Sequence, residues 1–330
     1  MKAHWSDLGM LKVRKAGVIG AGTMGAAIAE VLAYNEIPVV LKDVNDELVS
    51  KGIQRVRTII SDLVRFNDGK ADKEIARIEG QGIKLTDDQK AGLRLKMKSK
   101  FTSDKADELL ARVKGTTSYA DFADVDLVIE AAFENVTVKR GVFEELDKVL
   151  PEGAILGSNT SSLSITSLAK GLKHTPATLI THFFNPPYTL PLVEVVAGAD
   201  TKEEVTTDVI AFMQGLKNHR SSLVPIKVKE VPGFVVNRLL IPMLNEACFS
   251  LDEGAASPQD IDAAMKSGAG MPMGPLELAD MIGLDVCLDV VNILSREYGD
   301  SKYRPSQILK RKVAAGHLGR KTGKGFYDYT

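Results

Sequence analysis

The stretch Ala16-Gly17-Val18-Ile19-Gly20-Ala21-Gly22-Thr23-Met24-Gly25 limits the possible folds of this chain more than any other. A short apolar run breaks into glycines spaced G-x-G-x-x-G, and the small-residue stretch Ala26 to Tyr34 continues at helical period, which demands strand, tight turn and helix in that order. Gly20 permits the turn, Gly22 lets a pyrophosphate approach the backbone, and Gly25 lets the helix pack close to a sheet with its N-terminus facing the anion. A second apolar run, Pro38-Val39-Val40-Leu41, leads to Asp43, eighteen residues past Gly25. An acid at that place receives the adenosine ribose hydroxyls and repels a 2′-phosphate, so the segment reads as a dinucleotide site that prefers NAD to NADP.

Further strands are expected at Lys114 to Thr117, Asp126 to Glu130, Ala154 to Ser158, Thr178 to Phe184, Leu190 to Val196 and Leu223 to Val228. Helical patterns such as Val138 to Leu150 and Glu203 to Leu216 lie between them. The expectation is a doubly wound α/β domain of Rossmann type, with an antiparallel edge where no helix intervenes. Glu134 and Lys139 follow the Asp126 strand at the carboxyl edge, where such sheets bind ligands. On its own, Lys139 reads as a solvated helix charge.

Twelve residues separate His182 from Glu194, across a turn that contains Pro186, Pro187 and Pro191. An imidazole ending one apolar run and a carboxylate inside the next can meet as base and orienter. Read by themselves, they can equally be a core histidine and a strand-edge glutamate that never touch.

Between residues 45 and 113, Leu48, Val56, Ile59, Ile60, Leu63 and Val64 recur at helical spacing, with Lys51, Arg55, Arg57 and Arg65 on other faces. These cations suit either phosphates of a substrate such as coenzyme A or a plain solvated face, the commoner outcome. The charged, glycine-containing stretch 66–100 suggests a mobile helical insertion. After Val228 strands give way to helices. Val231-Pro232-Gly233-Phe234 reads as a joint, Asn237 and Arg238 lie one turn into the next helix, and Ser257-Pro258 caps another. The expected division is a dinucleotide-binding domain over 14–229 and a smaller all-helical C-terminal domain over 230–330. The apolar faces of the second domain point to an intersubunit surface, with a well-covered monomer as the alternative.

A net charge of -1 argues against a nucleic-acid partner, and no apolar run approaches the length of a membrane span. The two cysteines, Cys248 and Cys287, offer neither a disulfide framework nor a metal cluster, which suits a reducing, cytoplasmic setting. Neither a secretory signal at the start nor a peroxisomal address at the end is read.

Taken together, these residues resemble the L-3-hydroxyacyl-CoA dehydrogenase family, in its single-activity form. The likeness covers nearly the whole chain: Gly20 to Gly25, Asp43, Glu130 to Asn135, Ser158-Asn159-Thr160-Ser161-Ser162, His182 to Pro186, Glu194, Pro232 to Arg238, Met273-Gly274-Pro275 and Gly319 to Tyr327. The resemblance implies His182 as base, Glu194 as its partner, Ser161 as a hydrogen-bonding residue beside the reacting hydroxyl, and Asn237 as a substrate-positioning residue. For NAD it implies Met24, Asp43, Glu134, Lys139, Asn185 and Lys321 beside the glycines Gly20, Gly22 and Gly25. It further implies an acyl-CoA substrate and a homodimer. Without the family, Ser161 reads as a helix cap and Asn237 as an ordinary helix polar residue. The segment 66–100 departs from the usual family length, so no coenzyme A contact is carried over. Two other readings stand beside this one: a dehydrogenase of free hydroxy acids that uses a helical lysine, and a non-catalytic dinucleotide-binding protein.

Overall fold

The computed structural model describes residues 11–97 and 101–329. The chain divides into two compact units, the first comprising residues up to Thr160 together with Ser164–Lys227, the second Ser161–Leu163 together with Val228–Thr330.

The first unit begins with β1 (Ala16–Ile19), α1 (Thr23–Tyr34) and β2 (Val39–Lys42), as the glycine spacing requires. Gly20 sits at φ +95°, where an added Cβ would lie 2.5 Å from the Ala131 carbonyl oxygen. At Gly25 a Cβ would stand 1.7 Å from the Gly20 carbonyl oxygen, so no larger residue fits between helix and turn. Ala26, Ala27, Ala29 and Ala33 are buried on α1, and their small size lets the helix approach the sheet closely.

Next come α2 (Asp46–Asp68), α3 (Lys70–Gly80), α4 (Asp87–Lys96) and α5 (Ser103–Ala111). Asn45 caps α2 by accepting from the Leu48 N–H, and Val49, Val56, Ile60 and Leu63 form its buried stripe. The expected insertion over 66–100 therefore consists of the end of α2 plus α3 and α4, the latter opened by a Thr86/Gln89 capping box with no buried residue. Its last residues, 98–100, lie outside the described residues.

The sheet is completed by β3 (Val113–Thr116), β4 (Leu127–Glu130), β5 (Ile155–Ser158), β6 (Thr178–Phe183), β7 (Leu192–Ala197) and β8 (Val224–Val228), in the order β3-β2-β1-β4-β5-β6-β7-β8. Helices α6 (Val136–Val149), α7 (Ile165–Ala169) and α8 (Glu203–Gly215) connect them. β1 to β6 pair in parallel with their neighbours, whereas β7 runs antiparallel to β6. Only a turn joins those last two, too short for a parallel crossover. The fold is thus the expected Rossmann-type sheet. One local expectation changes. Ser164, not Ser161, caps α7, its side chain accepting from the Ser167 N–H.

The second unit is helical: α9 (Val236–Asp252), α10 (Pro258–Gly268), α11 (Pro275–Ile282), α12 (Leu284–Tyr298) and α13 (Gln307–Ala314). Ile241, Leu244, Leu276, Ala279, Val291, Leu294 and Leu309 form its core. Two buried aspartates tie it together. Asp262 accepts the Leu276 and Glu277 N–H groups at 2.8 and 2.9 Å, capping α11 where Gly274 has no side chain to do so. Asp280 accepts the Phe326 and Tyr327 N–H groups, both at 2.9 Å, and so docks the terminal segment.

Cys248 and Cys287 are free and buried, and burial pushes both thiols up to about 12. Reaction with a thiolate-selective reagent at neutral pH is therefore expected only after denaturation, readable as zero adducts by mass spectrometry in the native protein. Adducts formed on the native protein would contradict this.

Candidate active site

The carboxyl ends of the parallel strands β1, β2, β4, β5 and β6 lie along one edge of the first unit, where β1 leads into the glycine turn and the others carry polar side chains at or near their ends. At the end of β2, Asp43 is half-buried. One of its oxygens accepts the Ala21 N–H at 2.7 Å and the other the Val44 N–H at 2.7 Å, so this acid also fixes the glycine turn. Among the described residues no side chain caps α1 at Gly22, which leaves its first N–H groups for a ligand or water. A Cβ at Gly22 would meet nothing within 4 Å. An uncapped helix N-terminus beside open space, with a carboxylate at the end of the next strand, fits a dinucleotide pyrophosphate and its ribose. Met24, in the first turn of α1, is half-buried and packs against the core.

Glu130 ends β4 and is fully buried. Its carboxylate accepts from Lys139 Nζ at 2.8 and 3.0 Å, from the Ala132 N–H at 2.6 Å and from Ser158 Oγ at 2.6 Å. Lys139 is 1% exposed and lies also 3.2 Å from Glu134, which in turn accepts from Thr160 Oγ1. Lys139 is therefore no solvated helix charge. Position nine residues beyond Glu130, on the first turns of α6, carries its ammonium back under the strand end, where only a carboxylate makes burial tolerable. The network continues to the Thr160 N–H, which bonds Ser158 Oγ at 3.2 Å, and so fixes the residue before Ser161.

His182 and Glu194 face each other as direct partners in the β6–β7 register. His182 Nδ1 lies 2.9 Å from Glu194 Oε2, with the imidazole 8% exposed and the carboxylate fully buried. A carboxylate accepts, so Nδ1 is the donor in this contact. The Phe184 ring packs on the imidazole with centroids 4.6 Å apart. Asn159 Oδ1 accepts the Phe183 N–H at 2.8 Å, pinning the strand beside the histidine to the end of β5. The two residues therefore touch, and the alternative of a core histidine apart from an edge glutamate is ruled out.

Asn185 follows β6 through a cis bond to Pro186. It lines a pocket of about 440 Å3 with Thr23, Lys51, Gln54, Arg55 and Tyr188. Arg55 donates from Nη1 to the Ala21 carbonyl at 3.1 Å, which holds its guanidinium beside the glycine turn. This gathers two of the α2 cations at one cavity, while Arg65 pairs with Asp62 on the surface.

In the second unit, Ser161 is half-buried between Thr160 and the α7 cap, and Asn237 is half-buried in the first turn of α9. Lys321 Nζ pairs with both oxygens of Asp285, at 2.6 and 2.5 Å. Burial opposes ionisation of Asp285, but the hydrogen bond from Lys321 and the Val286 N–H outweigh it and lower the carboxyl below its ordinary range. Sequence reading left Glu130, Ser158, Asn159 and Thr160 without roles. The available signal was Glu130 itself, a charge at the end of the all-apolar run Leu127 to Ile129.

Two family models match the chain. The one described as 3-hydroxyacyl-CoA dehydrogenase, NAD binding domain, matches residues 15–93 and 85–231. That for the 3-hydroxyacyl-CoA dehydrogenase C-terminal domain matches residues 233–329. The 3-hydroxybutyryl-CoA dehydrogenase of Clostridioides difficile is 42% identical over 315 residues, covering 96% of this chain and 99% of that one. Human mitochondrial hydroxyacyl-coenzyme A dehydrogenase is 36% identical over 319 residues, 96% of this chain and 91% of that one. The crystal structure of (S)-3-hydroxybutyryl-CoA dehydrogenase PaaH1 from Ralstonia eutropha matches with a TM-score of 0.78 at 41% identity, covering 97% of this chain and all of that one. The chain belongs to the 3-hydroxyacyl-CoA dehydrogenase family of NAD-dependent oxidoreductases.

Proposed function

We propose that the protein oxidises the 3-hydroxyl of an L-3-hydroxyacyl-CoA to the 3-ketone, or runs the reverse reduction, with His182 as the proton-transfer group. NAD, when bound, supplies the hydride acceptor. The observation that carries this reading is the 2.9 Å contact between His182 Nδ1 and Glu194 Oε2. With Nδ1–H committed to the carboxylate, Nε2 is the basic nitrogen, suited to take the hydroxyl proton as the C3 hydride departs. Glu194 holds the tautomer and stabilises the imidazolium that forms.

Ser161 and Asn237 would orient the 3-hydroxyl and the acyl thioester. Gly20, Gly22, Gly25, Met24, Asp43, Glu134, Asn185 and Lys321 would hold the dinucleotide, with Lys139 acting through Glu134, whose carboxylate it reaches at 3.2 Å. Lys51 and Arg55, together at the pocket, would receive the coenzyme A moiety by its phosphates. The exposed apolar residues Leu239, Met281 and Val286 of the helical unit suit a homodimer contact. Among the described residues no helix is long and apolar enough to cross a membrane, and two buried free thiols suit a cytoplasmic enzyme. Such an enzyme would serve fatty-acid β-oxidation or butyrate-type reduction.

Relatives named for 3-hydroxybutyryl-CoA make the four-carbon ester the first substrate to test. NADH formation from L-3-hydroxybutyryl-CoA is expected. Free 3-hydroxybutyrate should be turned over at least a hundredfold less efficiently, because the binding energy of the coenzyme A moiety is absent, and NADP should replace NAD poorly beside Asp43. Equal rates on the free acid would favour a hydroxy-acid dehydrogenase, and absence of NADH a non-catalytic role.

A further inference from the structure

Glu30 is the single charged residue of α1, and it is fully buried in a helix otherwise made of small and apolar side chains. A buried carboxylate is strongly disfavoured unless partnered. Its partner comes from a distant part of the chain. His219 Nε2–H donates to Glu30 Oε1 at 2.8 Å, while Oε2 has no hydrogen-bond partner among the described residues. That one bond therefore fixes the carboxylate.

His219 lies in a tight turn closed by the antiparallel bridge Lys217–Ser222. The turn is itself rigid, since Asn218 Oδ1 accepts the Arg220 and Ser221 N–H groups, both at 2.9 Å. It is anchored at the end of α1 by the reciprocal bonds Lys217 N–H to Asn35 Oδ1 and Asn35 Nδ2 to the Lys217 carbonyl, at 2.8 and 2.7 Å. From this anchor it grips the segment after Asn185. Asn218 Nδ2 donates to the Pro187 carbonyl at 3.2 Å and the His219 N–H to the Tyr188 carbonyl at 3.0 Å. The imidazole packs on the Tyr188 and Tyr34 rings, with centroids 5.4 and 5.2 Å away. Tyr188 in turn forms one wall of the pocket that holds Lys51 and Arg55.

We infer that Glu30 and His219 form a positioning pair that holds Tyr188 as a fixed wall for the coenzyme A moiety. The inference rests on the proposed reading of that pocket. A buried hydrogen-bonded polar pair is a weak source of stability, and apolar replacement of both partners is commonly neutral or stabilising. A preset aromatic wall, by contrast, spares a ligand the ordering of that side chain.

The test is steady-state kinetics on His219→Ala, Glu30→Ala, Glu30→Gln and the Glu30→Leu/His219→Leu double variant, with thermal unfolding of each. The first two and the double variant should raise KM for the CoA ester roughly three- to tenfold. Their kcat, their KM for NAD and their KM for the N-acetylcysteamine thioester of the same acid should stay within about twofold. Glu30→Gln keeps an acceptor for His219 and should restore the KM. The double variant should fold as stably as the parent, which separates positioning from stability. An unchanged KM for the CoA ester in folded variants would overturn the inference, as would a KM for NAD rising in step. Lys51→Ala/Arg55→Ala serves as the control for the pocket. A raised CoA-ester KM there with no effect of His219→Ala sinks the positioning pair alone, whereas no effect there sinks the pocket assignment and with it the inference.

Discussion

His182→Gln is expected to lower kcat by about 10²–10⁴ while leaving the melting temperature and the affinity for NAD unchanged. The glutamine amide can still donate to Glu194, so the buried carboxylate keeps a partner and the β6–β7 register keeps its inward-facing pair. What vanishes is the basic nitrogen that accepts the hydroxyl proton. Glu194→Gln should come close to the same loss by another route. An amide in place of the carboxylate can donate to Nδ1, which drives the imidazole proton onto Nε2 and presents a donor where a base is needed. Steady-state kinetics with the CoA ester, alongside NAD titration and thermal melts, reads both variants. Near-normal turnover of folded His182→Gln would remove the histidine from the chemistry.

Lys139→Met should have the largest effect on stability, about 3–5 kcal/mol. Among the described residues its ammonium is the only cation bonded to Glu130, whose fully buried carboxylate would keep the Ala132 N–H and Ser158 hydroxyl. Glu130→Gln in the same chain removes the stranded charge, so the double variant should recover part of the loss. Urea unfolding followed by circular dichroism measures both. A solvated lysine would instead change stability by about 0.5 kcal/mol or less. Because Glu134 loses its ammonium neighbour too, KM for NAD should rise in the single variant.

The contrast between these two sites shows which information the sequence carries locally. The β1–α1–β2 unit was readable because every cue lies within the stretch from Ala16 to Asp43: strand run, glycine turn, small-residue helix and terminal acid. The His182–Glu194 contact was visible as a spacing, but its reality depended on register. Both Thr189 and Leu190 N–H groups bond the Pro186 carbonyl, which keeps Leu190 and Pro191 in the turn and starts β7 at Leu192. That offset places Glu194 opposite His182. Lys139 misled because a charge on a helix is ordinarily solvated, and only the neighbouring strand end shows where its ammonium goes. The Ser161 cap failed for a smaller reason: the chain runs on through Ser162 and Leu163 before helical dihedrals begin, and Ser164 takes the role. The Glu30–His219 pair lies 189 residues apart in sequence, beyond any local pattern. Its one visible trace was a lone acid in an apolar helix.

The proposed reaction is hydride transfer from C3 of the substrate to NAD with proton removal at His182. Its most direct test uses L-3-hydroxybutyryl-CoA carrying deuterium at C3, incubated with NAD and the enzyme, with both products analysed by mass spectrometry. Deuterium is expected on the reduced cofactor, with none in the 3-ketobutyryl-CoA or the solvent. Deuterium released to water, or no reduced cofactor at all, would contradict the proposed reaction.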